Sequence, residues 1–344
     1  MNQEKGNAKR LLEVQNLKKY FPITIGFLRR EVGQVKAVDD VSFSIDQGET
    51  LGLVGESGCG KTTLGRSVIR AIEPTDGIVK FRADGEMVDL ISLNPKEIRE
   101  VRQHMQMIFQ DPYTSLDPRM TVLEIVGEPL EVNGIAKGVE LEERVKALME
   151  VVGLEVKYLK RYPHAFSGGQ RQRIGIARAL ATNPKLVVCD EAVSALDVSI
   201  QAQILNLLLD LQKDLQLTYL FISHDLSVVE HISDRVGVMY VGKLVEMSKT
   251  EDLFFRPKHP YTEALLSAVP TPEGDSKNRR IILDGEAANP ADIPNGCPFH
   301  PRCRYAEDIC KTEPPVWQEI QPDHFTACHF AKELVLKGVE QYGD

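Results

Sequence analysis

Two stretches of the chain carry residue types that handle phosphate. The run Gly55-Glu56-Ser57-Gly58-Cys59-Gly60-Lys61-Thr62-Thr63 follows the apolar segment Thr50–Val54 and precedes a helix-forming stretch from Thr62 to about Ile72, stopped by Pro74. It fits the spacing G-x-x-x-x-G-K-[ST] in the strand–loop–helix context that gives that pattern meaning. Gly55, Gly58 and Gly60 let the backbone curl so that its N–H groups point inward at phosphate oxygens. The helix N-terminus adds the positive end of a dipole. Lys61 supplies a point charge for β- and γ-phosphates, and Thr62 offers a hydroxyl to Mg²⁺, which takes few protein ligands. Cys59 reads as a small residue that fits the loop. A redox-sensitive thiol is the sharper alternative, because a helix N-terminus lowers a thiol pKa.

The second stretch is Ser167-Gly168-Gly169-Gln170, ahead of a helix from Arg171 to Ala181. Free glycine N–H groups, a hydroxyl and a helix N-terminus make a second anion site on one chain. One nucleotide can use both only if two chains face each other. Between and beyond them lie three polar ends of apolar runs. Asp190 and Glu191 end Leu186–Cys189, where an Asp can hold Mg²⁺ through water and a Glu can polarise an attacking water. His224 ends Phe221-Ile-Ser-His, at the C-terminal edge where open α/β sheets bind ligands. Gln110 ends Met107-Ile-Phe-Gln and by itself means little.

A third group is cysteine. Cys59 and Cys189 stand alone, whereas Cys297, Cys303, Cys310 and Cys328 crowd into the last fifth of the chain. Their spacing, C-x5-C-x6-C-x17-C, matches neither a tight zinc pair nor a ferredoxin run. It says four soft ligands, which suit Zn²⁺ or an iron–sulfur cluster, or unliganded thiols. A metal staple could supply a core that this Pro-rich segment lacks. His300, His324 and His329 are nearby substitutes that read more simply as surface or packing residues.

The elements that must position these groups alternate. Val35 to Ile45 approaches strand alternation, and Lys185–Asp190 and Thr218–Ile222 are continuous apolar runs, as in covered parallel strands. Ile200–Leu215 and Glu140–Val152 have helical spacing. The pattern predicts an α/β domain with helical character from about Asn94 to Leu159, and a short bridging helix at Thr262–Val269. The 344 residues, 26% charged and 42% hydrophobic, allow about two domains. No stretch nears the ~20 apolar residues of a membrane span, and the start, MNQEKGNAKR, is unlike a signal peptide. A net charge of −9 argues against nucleic acid as the main partner.

Taken together, the ordered motifs resemble the ATP-binding cassette (ABC) ATPases over about residues 11–255. The resemblance implies a P-loop NTPase core with a helical subdomain. It makes Gly55–Thr63 the Walker A loop, Gln110 the Q-loop, Ser167–Gln170 the signature and Asp190 the Walker B acid. Glu191 would be the catalytic base, Ser194-Ala-Leu-Asp197 the D-loop and His224 the switch histidine. Phe21 would stack on adenine, with Tyr20 the neighbouring alternative. Phe166 stands where Leu is usual and Ala192 where Pro is common, and neither swap removes a chemical group. Two ATP molecules would lie in a head-to-tail pair, each between one chain's phosphate loop and the other's signature.

His259-Pro-Tyr-Thr262, Arg161-Tyr-Pro-His164 and the tail with Gly296–Cys303 narrow the likeness to the dipeptide/oligopeptide importer ATPases. That group implies a nucleotide-binding domain at 1–258 and an extension at 259–344. It also implies two transmembrane permease partners and a second ATPase subunit, either a sister chain or a copy of this one. An extracellular substrate-binding protein would act indirectly, and the chain would work at the cytoplasmic face of the membrane. Gln110 and Asp111–Pro118 would dock a permease. The same likeness tips the four cysteines towards a [4Fe–4S] cluster, with zinc as the alternative. The rival class is a soluble ABC ATPase of DNA repair or translation. A single cassette, no heptads and an acidic balance disfavour it.

Overall fold

In the computed structural model the chain is described at residues 9–26, 30–269 and 280–339. Residues 1–8, most of the polar start, lie outside these. The strands are β1 (Arg10–Ile25), β2 (Arg30–Asp46), β3 (Thr50–Val54), β4 (Asp76–Arg82), β5 (Met87–Asp89), β6 (Met105–Ile108), β7 (Leu186–Asp190), β8 (Thr218–Ile222), β9 (Arg235–Tyr240), β10 (Lys243–Lys249), β11 (Gln318–Gln321) and β12 (His324–Thr326). The helices are α1 (Lys61–Val68), α2 (Pro95–Arg102), α3 (Val122–Val132), α4 (Gly138–Val151), α5 (Gly168–Leu180), α6 (Val198–Leu215), α7 (Leu226–Ile232), α8 (Thr250–Phe255), α9 (Pro260–Leu266) and α10 (Asp308–Thr312). They divide between two compact units: one of residues 9–11, 45–49 and 81–222, the other of the described residues within 12–44, 50–80 and 223–339.

In the first unit β6, β7 and β8 run parallel, in registers such as Met105↔Leu186 and Leu186↔Thr218. β7 and β8 are buried at every residue, which accounts for their unbroken apolar sequence. β6 lies inside the stretch read as helical. At four residues it is too short for its period to be told from a helix turn. Helices α2 and α3 each start at a reciprocal cap, Asn94 with Glu97 and Thr121 with Glu124. Val126, Leu130, Val145, Met149 and Ile174 form the core among α3, α4 and α5.

In the second unit β3 pairs parallel with β9, from Leu51↔Arg235 to Val54↔Val238. Strands β9 and β10 form an antiparallel hairpin whose turn residues, Val241 and Gly242, both have positive φ, 41° and 80°. That conformation matches the natural twist of a hairpin. Helix α1 is shorter than its sequence predicts, because the chain turns at Arg70 with φ 54°. The tail, where apolar periodicity is weak, contributes two strands: β12 pairs with β10 (Glu246↔Thr326, Met247↔Phe325) and β11 with β12.

Candidate nucleotide site

The phosphate loop belongs to the second unit, between β3 and α1. Gly55, Gly58 and Gly60 have φ 150°, 78° and 107°, so all three need the freedom of glycine. At two of them sterics add a second constraint. A Cβ on Gly55 would sit 2.1 Å from Met239 O, and one on Gly60 would sit 2.0 Å from Ala37 O. Lys61 is buried, and its Nζ donates to Gly55 O at 2.7 Å and Glu56 O at 3.0 Å. The ammonium is thereby laid across the loop it serves. Cys59 Sγ lies 3.7 Å from that Nζ, yet burial outweighs the lysine and pushes the thiol pKa up. The thiolate a redox sensor needs is therefore disfavoured. Ser57, Thr62 and Thr63 complete the run, the threonines in the first turn of α1.

The same unit holds the two residues read for the base and the γ-phosphate. Phe21, on β1, exposes its ring, with Lys19 Nζ 4.9 Å from the ring centroid. Tyr20 instead donates its hydroxyl to Asp39, and burial together with that carboxylate pushes its pKa up. His224 is exposed just before α7, where Asp225 caps the helix by accepting the Ser227 N–H at 2.9 Å.

The first unit holds the acidic strand end and the signature run. Asp190 closes β7 and is buried. Glu191 follows at φ 50°, a left-handed conformation uncommon for a side-chain-bearing residue. Its N–H donates to Ile222 O at 3.0 Å, and its Oε2 accepts from Gln110 Nε2 at 2.7 Å. The structure thus brings Gln110 and Glu191 together, although the sequence around Gln110 is mute. Strain of this kind, held by surrounding bonds, is typical of functional positions.

Ser167 is the N-cap of α5. Its Oγ accepts the Gln170 N–H at 3.3 Å, and Gln170 Oε1 accepts the Ser167 N–H at 3.1 Å. Gly168 and Gly169 form the first turn, and a Cβ on Gly169 would meet Ile200 Cγ2 at 2.5 Å. The exposed Asp197 is the N-cap of α6. The segment after Gln110 is tied to α5, with the Arg171 guanidinium 4.0 Å from the Tyr113 ring centroid and Arg178 Nη1 donating to Ser115 O at 2.7 Å.

The reading of the four C-terminal cysteines as an iron–sulfur or zinc site is overturned. Among the described residues, no group of three or more His, Cys, Asp or Glu is arranged to hold a metal ion. The pKa values of Cys297, Cys303 and Cys328 are raised, chiefly by burial and further by neighbouring cysteines. Cys297 is pushed up to about 11 and Cys328 to about 12, and Cys303 also upward. Cys310 is buried and the other three are half-buried. The nearby histidines are engaged elsewhere: His300 Nδ1 with Cys297 O, His324 Nε2 with Glu246, and His329 Nε2 with Glu313 O.

Two residues that sequence reasoning did not single out touch the phosphate loop. They are Tyr261, inside the quoted His259–Thr262 motif, and Arg302, next to Cys303. No local pattern points from either to Glu56.

Comparison with known proteins fits this geometry. The ABC transporter family model matches residues 38–194, and the model of the oligopeptide/dipeptide transporter C-terminal region matches 245–310. The oligopeptide transport ATP-binding protein AppF of Bacillus subtilis (strain 168) is 54% identical over 326 residues, covering 94% of this chain and 98% of that protein. Among solved structures, the dimeric post-hydrolysis state of the ATP-binding cassette MJ0796, bound to ADP and Pi, superposes with TM-score 0.61 and 28% identity. That match covers 70% of this chain and 99% of the other. CbiO1 from Clostridium perfringens, part of the ABC transporter complex cbiONQ, gives TM-score 0.60 and 26% identity over 72% of this chain and 91% of its own. The fold is the α/β P-loop fold of an ABC ATPase. The chain belongs to the ABC transporter ATP-binding family, in the branch that carries the oligopeptide/dipeptide transporter C-terminal region.

Proposed function

We propose that this chain is the ATP-hydrolysing subunit of a membrane importer for di- or oligopeptides. The observation that carries the reading is the relationship, along almost the whole chain, to an oligopeptide transport ATP-binding protein. Closure of two cassettes on two ATP molecules drives a pair of permeases, and hydrolysis resets them. The second cassette is a sister subunit or another copy of this chain. Among the described residues no helix is long and apolar enough to cross a membrane. In this reading the membrane work falls to partner chains, with this subunit at the cytoplasmic face and a substrate-binding protein outside. Residues 1–258 form the nucleotide-binding domain, with a helical subdomain over about 95–180. Residues 259–344 form a smaller module that carries the four cysteines.

The roles follow from chemistry. Within Gly55–Thr63, Lys61 and the N–H groups other than that of Glu56 bind the phosphates, and Phe21 stacks on adenine without reading its edges. The Thr62 hydroxyl, the Gln110 amide oxygen and the Asp190 carboxylate are hard oxygen donors that suit Mg²⁺. When bound, that ion neutralises phosphate charge. Glu191 accepts a proton from the attacking water, Gln110 orients Glu191, and His224 hydrogen-bonds the γ-phosphate. Because the phosphoryl transition state is loose, this positioning is most of the catalysis. Ser167–Gln170 and Asp197 act on the nucleotide of the opposing cassette, and Asp111–Pro118 docks a permease.

The test is Glu191→Gln in the chain reconstituted with its permeases. Expected is a loss of steady-state hydrolysis of about a hundredfold or more, with MgATP binding retained. Normal turnover would remove Glu191 as the base. An absence of peptide-stimulated ATPase activity in the intact complex would remove the importer reading.

A further inference from the structure

Glu56, the second residue of the phosphate loop, has each of its polar groups engaged. Its carboxylate accepts two parallel hydrogen bonds from Arg302, Nη1 to Oε2 at 2.8 Å and Nη2 to Oε1 at 3.0 Å. Its N–H donates to Tyr261 Oη at 2.9 Å. Its carbonyl accepts from Lys61 Nζ at 3.0 Å. One residue thus joins the phosphate-binding lysine to two groups of the C-terminal region, one of them 246 positions away.

The two outer partners are built to stay where they are. The Arg302 side chain is 9% exposed and that of Glu56 30%, so the pair is far better shielded than a surface ion pair. A guanidinium bound at two points fixes orientation as well as distance. Tyr261 is buried among Tyr240 and Phe299, at ring-centroid distances of 4.7 and 5.3 Å. Phe299 in turn anchors the turn that carries Arg302, whose N–H donates to Phe299 O at 3.0 Å. An aromatic wedge therefore backs both contacts.

We infer that the C-terminal extension is a positioning element of the nucleotide site. Arg302 and Tyr261 hold Glu56, and Glu56 sets where Lys61 lies for phosphate binding. Arg302 and Tyr261 are positioning residues and do not themselves touch ATP. The inference rests on the reading that this loop cradles ATP phosphates. Its rival is a simple staple, in which the same contacts only hold the extension down. A staple would affect melting and leave nucleotide affinity alone. A positioning clamp acts on ATP affinity while the chemistry at saturation survives.

The experiment measures MgATP binding, and KM and kcat for hydrolysis, on the full-length chain in complex with its permeases. Arg302→Met is expected to raise the MgATP Kd and KM about tenfold, with kcat changed by less than about twofold. Tyr261→Phe leaves the Glu56 N–H without its acceptor and is expected to raise Kd about fivefold. Glu56→Gln, at the more exposed partner, is expected to raise Kd as Arg302→Met does and carries the test alone should Arg302→Met fail to fold. The Glu56→Gln/Arg302→Met double variant is expected to be no worse than either single one, because both break one interaction. Arg302→Lys is expected to fall between wild type and Arg302→Met, since an ammonium cannot bind at two points. Unchanged Kd in folded Glu56→Gln, or fully additive losses in the double variant, would overturn the inference. A wild-type chain that does not bind MgATP would instead overturn the nucleotide reading beneath it.

Discussion

In the phosphate loop, Gly55, Gly58 and Gly60 all take positive φ, whereas Gly168 and Gly169 sit in the first turn of an ordinary helix. The first loop is shaped by backbone conformations that only glycine adopts without strain. The second is shaped by a reciprocal cap between Ser167 and Gln170, and of its two glycines Gly169 alone allows a close approach. The two glycine-rich runs thus have different tolerances. The first is vulnerable at the backbone and the second at the rim.

Substitutions can break or sharpen that contrast. The largest effect is expected for Gly60→Ala, where positive φ and a 2.0 Å approach to Ala37 O coincide. It should abolish MgATP binding in calorimetry and lower the melting temperature by several degrees. Next is Ser167→Arg, which places a bulky cation where the opposing nucleotide would enter. The isolated chain should still bind MgATP, while hydrolysis by the assembled pair falls about a hundredfold. Equal loss of binding would show that the two cradles are not separate. Gly58→Ala meets open space and so carries only the φ penalty. Its expected cost is about 1–2 kcal/mol in denaturant unfolding. The smallest effect belongs to Gly168→Ala, whose Cβ would meet Leu196 Cδ2 at an ordinary 3.5 Å. Its cost should stay within about 1 kcal/mol. A larger cost than that of Gly58→Ala would reverse the ranking of the two loops.

Contiguous motifs were legible in the sequence. The phosphate loop, the acidic end of β7 and the signature run are each local strings whose chemistry requires those residue types in that order. The buried strands β3, β7 and β8 were legible for the same reason, as unbroken apolar runs. What sequence could not convey is pairing over distance. The contact of Gln110 with Glu191 spans 81 positions, and that of Glu56 with Arg302 spans 246. Strand β11 alternates between half-buried and exposed residues, so no apolar signal marks it. Four thiols at irregular spacing specify ligands without specifying geometry, and a family likeness does not supply it.

The pairing of β12 with β10 bears on how this protein can be cut. Removing everything after residue 258 would uncover the backbone of Glu246 and Met247, which now lies against Thr326 and Phe325. It would also strip Glu246 of His324, with both side chains presently shut away from water. The cut edge would offer a strand with open hydrogen-bonding groups, which is a template for sticking to other chains. The cassette and its tail therefore share one solubility, and a shortened chain is more apt to precipitate than to run as a minimal engine.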